Sequence, residues 1–200
     1  SQNLSDKISD SVCTCLSSSQ NYTMQSIESC FTSSLDKFDD ELRSLKATTI
    51  NKSIDDNELA FNFAEKLFSD IILKLQDDCD YLYEHIVKIR EFSIQDYKIN
   101  NPTSIIDKIT DSIKTNPEIR HFKNRALYYF TSNKADEAKK DCLKCLEIDS
   151  SSIPCTYLLG WIEEKNLNYS RAIELYKKLE NQGLPFMQLY VTRLQRLTKK

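Results

Sequence analysis

The chain has 200 residues, of which 40% are hydrophobic and 10% aromatic, and this composition is sufficient for one or two small cores. A net charge of −3, without a stripe of Lys and Arg interleaved with aromatic residues, argues against nucleic-acid binding. Only two glycines and four prolines occur, too few for a series of β-hairpins, and no run of about 18 apolar residues could form a transmembrane segment. We therefore predict an all-α protein with short polar connectors.

The charges are divided unevenly along the chain. Residues 1–116 carry 12 Lys and Arg against 20 Asp and Glu, a net charge of −8. Residues 117–200 carry 15 against 10, a net charge of +5. Two interpretations are open. In the first, the halves are simply two solvated surfaces of different charge; in the second, the two halves attract each other or the basic half binds an acidic partner.

Seven cysteines are many for a cytosolic protein. Four lie in the N-terminal half and are disulfide candidates: Cys13, Cys15, Cys30 and Cys79. An even set suggests two bridges formed in an oxidising compartment, with three pairings possible. The chain begins with Ser rather than Met, as expected after removal of a signal peptide. We expect an exported protein, periplasmic or extracellular, with a cytoplasmic location as the alternative.

The N-terminal domain, residues 1–92, is predicted to contain four amphipathic helices. They cover residues 5–16, 23–45, 57–76 and 80–92. The third has the broadest apolar face, which is typical of a helix at the centre of a bundle. Its apolar residues are Leu59, Ala60, Phe63, Ala64, Leu67, Phe68, Ile71, Ile72 and Leu75. A linker is predicted over residues 93–102.

The cysteine pattern of this domain resembles that of exported bacterial helical domains of unknown function. The resemblance consists of Cys13-x-Cys15 near the start, Cys30 in the next helix and Cys79 after a long apolar helix. Cys13 and Cys15 diverge by about 200° on a helix and therefore need different partners. We prefer Cys15–Cys30, between adjacent helices, which leaves Cys13–Cys79 as the second bridge.

The C-terminal domain, residues 103–200, contains an internal repeat. Ala138 and Ala172 lie 34 residues apart, and each follows a helix-sized segment that contains a small residue, Ala126 or Gly160. Thirty-four residues is the period of the tetratricopeptide (TPR) helix–turn–helix unit. A short amphipathic helix at 103–114 precedes the repeats as a predicted cap.

Residues 117–200 resemble TPR proteins in more than the period. The residues that carry the resemblance are Ala126, Tyr129, Ala138, Cys142, the run Cys145–Asp149, Leu159, Gly160, Ala172 and Tyr176. The sequence departs from the family pattern at Ser150, where proline is usual, and at Glu163, where an aromatic residue is usual. The resemblance implies repeats at 117–150 and 153–183 and a closing helix at 184–200.

The resemblance also implies a concave groove, lined by the first helix of each repeat, that binds a peptide or protein segment. The residues expected there are Arg120, Lys123, Asn124, Leu127, Tyr157, Trp161, Tyr190 and Arg193. Arg, Tyr and Trp dominate binding hot spots, although packing of Tyr157 and Trp161 in the core is an equally good interpretation. Chaperone-tail binding is not expected, because Leu127 and Leu158 replace the required asparagines.

The sequence contains no recognisable catalytic residue set. Cys142-x-x-Cys145 lies in mid-helix, where we expect core packing rather than redox chemistry. His85 and His121 each stand alone, so neither a zinc site nor a nucleophilic triad is predicted. We therefore predict a non-enzymatic protein-interaction module without a metal or cofactor. The alternative is a structural or self-inhibited envelope protein whose acidic N-terminal domain docks on the basic domain.

Overall fold

The computed structural model describes residues 3–49, 56–100, 104–184 and 186–199. Every regular element in these ranges is an α-helix, which confirms the all-α fold class. The helices are α1 (Leu4–Ser18), α2 (Met24–Lys37), α3 (Asp39–Thr49), α4 (Asp56–Asp78), α5 (Asp80–Asn100), α6 (Ser104–Thr115), α7 (Ile119–Thr131), α8 (Ala135–Ile148), α9 (Ile153–Lys165), α10 (Tyr169–Asn181) and α11 (Met187–Thr198). The chain divides into two units, Ser1–Ile89 and Arg90–Lys200, so that α5 contributes residues to both.

Two predicted boundaries are wrong. The predicted helix at 23–45 is two helices, because the backbone leaves the helical conformation at Phe38, with φ −111° and ψ 18°. Acidic residues at the start of α3 favour a new helix N-terminus there. The predicted fourth helix at 80–92 is too short, because α5 continues to Asn100, and residues 101–103 lie outside the described ranges. The assignment of 93–102 as a linker between domains stays a prediction. Ile94 packs on the core of the second unit, and this tertiary contact favours the helix beyond residue 92.

The first unit is built around α1, whose apolar side packs against α2 and α4. Ile8, Val12 and Leu16 are at most 1% exposed on that side. Asn3 caps α1 by accepting a hydrogen bond from the backbone N–H of Asp6 at 2.9 Å. Thr23 caps α2 in the same way through the N–H of Ser26.

The two predicted disulfides of this unit are present. Cys13–Cys79 joins α1 to the residue after α4, and Cys15–Cys30 joins α1 to α2, each with a Cα–Cα distance of 5.6 Å. A third disulfide, Cys145–Cys155, joins α8 to α9 in the second unit and was not predicted. The core-packing interpretation is correct for both cysteines of the pair, which are 0% exposed. Cys142 is a free thiol, whereas Cys145 lies in the core as part of a disulfide.

Three disulfides are consistent with an oxidising compartment. Among the helices that the structure describes, none combines the length and the apolar character that crossing a bilayer requires.

The second unit is a series of helical hairpins in which α7 pairs with α8 and α9 with α10. The cap helix α6 packs on α7, and α11 packs on α10. Ala126, Ala138 and Ala172 are 0% exposed, and a Cβ on Gly160 would lie 2.8 Å from Cε1 of Tyr176. All four small residues are buried where helices approach closely, as the 34-residue pattern predicts. Membership of the TPR family stays a prediction.

The turns inside the two hairpins repeat at the same interval. Asn133 and Leu167, 34 residues apart, both have φ 60°. In each turn the following N–H bonds back to a helix carbonyl, Lys134 to Tyr129 at 2.8 Å and Asn168 to Glu163 at 2.9 Å. The sequence repeat is thus also a repeat of backbone conformation.

Candidate functional site

A buried arginine lies among aromatic rings in the second unit. Arg90 of α5 is 6% exposed, and its guanidinium carbon lies 4.2 Å from the ring centroid of Trp161 and 4.9 Å from that of Tyr190. These distances are typical of cation–π interactions, which strengthen when the cation is desolvated. We call Arg90, Trp161, Glu164, Tyr176 and Tyr190 the Arg90 cluster.

Glu164 neutralises the Arg90 guanidinium through a bidentate ion pair. Arg90 Nη2 donates to Glu164 Oε1 at 2.8 Å, and Arg90 Nη1 donates to Oε2 at 3.1 Å. The hydroxyl of Tyr176 donates to the same Oε2 at 2.7 Å. The carboxylate is therefore held by one cation and one phenol in a site from which water is largely excluded.

Burial shifts the titration of these groups. Burial alone lowers the pKa of Arg90, but Tyr176 and Glu164 outweigh it, and the net pKa lies above its ordinary value. Burial raises the pKa of Tyr176 well above its ordinary value, although Arg90 opposes the shift, and burial likewise raises the pKa of Tyr190. At neutral pH the cluster therefore contains a charged arginine and two uncharged phenols.

The structure brings together the aromatic residues predicted for the groove. Trp161 and Tyr190 are 5% and 2% exposed, and the half-buried Tyr157 lies with its hydroxyl oxygen 3.3 Å from that of Tyr190. Arg90 stacks on this aromatic face, and Ile94, one turn further along α5, packs on the hydrophobic cluster that includes Trp161. Trp161 and Tyr190 are thus core residues in this conformation, and their role in partner binding stays a prediction.

The other predicted groove residues differ in their surroundings. Arg120, Lys123 and Asn124 are exposed on α7, and Arg120 forms an ion pair with Glu118 at 2.8 Å. Leu127 is half-buried and packs on the same hydrophobic cluster as Trp161. Arg193 of α11 is half-buried.

A cavity of about 400 Å³ remains beside the C-terminal half of α5. Ile94, Phe130 and Ile162 provide its apolar surface. Its polar residues are Glu91, Gln95, Thr131, Asn133, Lys165 and Asn166. This volume and mixed lining are typical of small ligand-binding sites, which combine apolar surface with a few polar groups.

Sequence reasoning missed Arg90, although a signal was present. Leu82, Ile86 and Ile94 lie at four-residue intervals on α5, and Arg90 occupies the remaining position in that apolar stripe. A lone charged residue inside such a stripe indicates a buried charge with a partner elsewhere in the fold.

Two other acidic residues of the repeats are buried with partners. Glu163, which replaces the aromatic residue of the family pattern, is 3% exposed and lies 2.6 Å from Nζ of Lys139. Asp141 accepts two hydrogen bonds at 2.7 Å from Arg125, which joins α7 to α8. These ion pairs explain how the hairpins accommodate carboxylates at packed positions.

Comparisons with known proteins give no further information about the site. No family model matches the chain, and neither a curated protein nor a solved structure matches it. Function is therefore inferred from the residues described above.

Proposed function

We propose that the second unit is a non-enzymatic, TPR-like protein-interaction module that binds a peptide or protein segment along α7. The observation that carries this proposal is the position of the cavity, which lies on the same helical face as the exposed Lys123. Leu127 and Thr131 follow Lys123 at four-residue intervals, and Thr131 lines the cavity. Eight residues of helix span about 12 Å, a distance that about four residues of extended peptide can bridge.

The lining favours a segment with one apolar side chain beside an acidic one. Ile94 and Phe130 would contact the apolar side chain, while Lys165 of the cavity and the exposed Lys123 would attract the carboxylate. The net charge of +5 on residues 117–200 favours the same kind of partner. Because three disulfides favour an oxidising compartment, we expect both the protein and its partner to be exported.

A charge reversal with a matched control tests the proposal. The full chain is immobilised and used to select from a displayed peptide library, and the selected peptides are measured by fluorescence anisotropy. Lys123→Glu is expected to weaken peptides with an acidic residue by about fivefold. Lys140→Glu, the same change at an exposed position of α8, should leave affinity unchanged. Equal affinities for the two variants, or selection of no peptide family, would contradict the proposal.

A second candidate function is favoured by the position of Arg90 and Ile94. In this reading the aromatic face is permanently covered by α5, and the protein is a structural or self-inhibited component. The covering segment would be α5 itself, whereas docking of the acidic N-terminal domain stays a prediction. Ile94→Asp should weaken the apolar contact of α5. Peptide selection by this variant alone would favour self-inhibition over an open groove.

A further inference from the structure

The first unit contains an apolar cleft between α3 and α4, and its interpretation is independent of the function proposed for the second unit. Two cavities, of about 500 Å³ and about 300 Å³, lie along α4. Phe63 and Leu67 line both of them, so that the two cavities adjoin at these side chains. Two adjoining cavities that share an apolar wall suit a chain-like ligand better than a compact one.

Most of the surface of the two cavities is provided by apolar side chains. The apolar lining residues are Leu4, Leu35, Leu42, Leu45, Phe63, Ala64, Leu67, Phe68 and Ile71. Leu45 in the smaller cavity is 39% exposed, and Phe68 in the larger cavity is 58% exposed. The sequence predicts α4 as the centre of a bundle, yet Ala64 and Phe68 on its apolar face are exposed. Covering this face would remove apolar surface from water, which favours an apolar occupant.

Cations lie at the edges of the cleft. Arg43 and Lys46 line the larger cavity, and Lys66 lines the smaller one. Arg43 uses Nε to bind Asp39 at 2.8 Å, and Lys66 binds Asp70 at 3.3 Å. Lys46 is exposed and has no ion-pair partner among the residues of the described ranges. It is therefore the cation best placed to accept an anionic group from a ligand.

We propose that this cleft binds a long-chain carboxylate of the fatty-acid type. The acyl chain lies between α3 and α4 against Phe63 and Leu67, and the carboxylate pairs with Lys46, with Arg43 beside it. An alkyl chain with a single anionic end matches both the elongated apolar walls and the cationic edge. A neutral apolar ligand would not use the charge of Lys46. A peptide would bring polar backbone groups at every residue into a site whose lining is mainly apolar, with a few polar side chains such as Asn3 and Ser5.

The first experiment is a titration of the full, oxidised chain with dansyl-undecanoic acid below its critical micelle concentration. Saturable binding of one probe per chain is expected. Displacement by unlabelled fatty acids should strengthen about fourfold with each added methylene until the cleft is filled. The matching fatty alcohol should bind more weakly than the acid. Absence of saturable binding, or no dependence on chain length, would overturn the proposal.

Variants then test the cleft itself. Lys46→Glu is expected to weaken binding of the fatty acid by about fivefold and to leave binding of the fatty alcohol unchanged. Lys98→Glu on α5 is the matched control and should change neither affinity. Leu67→Trp, or Leu42→Trp if the first variant fails to fold by circular dichroism, should fill the cavities and abolish binding. If a folded Leu67→Trp or Leu42→Trp variant binds the fatty acid as before, the site is wrong. If Lys46→Glu binds the fatty acid as before, the proposed pairing of the carboxylate with Lys46 is wrong. A dimer by sedimentation velocity that Leu67→Trp disrupts would assign the cleft to a second copy instead.

Discussion

The two units differ in how much of their stability comes from disulfides and how much from close packing. In the first unit, disulfides close separations of 66 and 15 residues, while Phe61, Phe68 and Leu73 remain more than half exposed. In the second, Leu159, Ile162 and Tyr176 are at most 2% exposed, and the disulfide closes only 10 residues. Cross-links stabilise a fold mainly by restricting the unfolded chain, whereas close packing acts in the folded state. Both units have a packed core and at least one disulfide, but cross-links contribute more to the first unit and close packing contributes more to the second.

Trp161 makes the two units separable in experiments. It is the only tryptophan in the chain and lies in the Arg90 cluster, so its fluorescence reports on the second unit alone. Far-ultraviolet circular dichroism reports on the helices of both units.

The largest effect is expected from removing the disulfides of the first unit. The loop-entropy relation assigns about 4 kcal/mol to Cys13–Cys79 and about 3 kcal/mol to Cys15–Cys30. Replacing all four cysteines by Ser should therefore unfold the first unit, seen as a loss of helical circular dichroism without a change in Trp161 fluorescence. Replacing Cys145 and Cys155 by Ser is the control, for which a loss of about 2.5 kcal/mol in the second unit is expected. Equal damage to both units by the first set would contradict the comparison.

A somewhat smaller effect is expected at Arg90. Arg90→Ala leaves Glu164, which is only 12% exposed, without its cation, and should lower the free energy of unfolding of the second unit by about 3 kcal/mol. Denaturation followed by Trp161 fluorescence measures this loss. The double variant Arg90→Met, Glu164→Met should recover most of it, since an apolar pair can replace a buried ion pair. Arg43→Ala, which breaks an exposed pair with Asp39, should cost less than about 0.5 kcal/mol.

Gly160 tests the role of close packing directly. Ala normally stabilises a helix relative to Gly, but here its methyl group would lie 2.8 Å from the buried ring of Tyr176. We expect Gly160→Ala to destabilise the second unit by about 2 kcal/mol. Adding Tyr176→Leu should relieve the clash, so that the double variant is more stable than the sum of the two single changes predicts. A stabilising Gly160→Ala would show that the hairpins tolerate a wider spacing.

Alkaline pH should weaken the second unit through its buried phenols. The pKa values of Tyr176 and Tyr190 are raised in the folded state. The stabilisation that these shifts provide is therefore fully present below about pH 10, the pKa of an unfolded tyrosine, and is lost as the pH rises above it. Each phenol then contributes a slope of up to about 1.4 kcal/mol per pH unit. Denaturation followed by Trp161 fluorescence, between about pH 9 and about pH 11.5, would measure this slope. Burial also raises the pKa of Cys142 to about 12, so the series is best run in Cys142→Ala. Tyr190→Phe should reduce the slope, and an unchanged slope would contradict the assignment.

The smallest effect is a gain in stability. Leu167 has φ 60° and is 71% exposed, so it bears the steric cost of a left-handed backbone without burying its side chain. Leu167→Gly should stabilise the second unit by about 1 kcal/mol in thermal denaturation. Asn133→Gly, at the equivalent turn, should gain less because Asn tolerates this conformation. A larger gain at Asn133 would contradict this explanation.

Sequence periodicity was sufficient for most of the fold. It predicted the helical class, the hairpin repeat and the burial of the four small residues, because these depend on local patterns at fixed intervals. Both disulfides of the first unit were also predicted. The divergence of Cys13 and Cys15 on one helix excluded a bridge between them, and the preference for a bridge between adjacent helices selected Cys15–Cys30. The end of α2 at Phe38 and the extension of α5 to Asn100 could not be read from local propensity. Contacts distant in sequence determine such boundaries.

The candidate site was harder to predict for the same reason. The aromatic residues were recognised, but the residue that lies on them, Arg90, belongs to a segment 71 residues before Trp161. Likewise Cys145 pairs with Cys155 across a helix connector rather than with its near neighbour Cys142. Spacing along one helix predicts which residues share a face, and it does not predict what covers that face.

The Cys145–Cys155 bridge has a consequence for proteolysis. The two bridged cysteines flank the connector between the hairpins. Ser150 and Ser151 in this connector are exposed and therefore accessible to a protease. A cut there would leave the hairpins covalently joined, and the fragments would part only after reduction. Under oxidising conditions a single nick at this connector therefore does not release either hairpin.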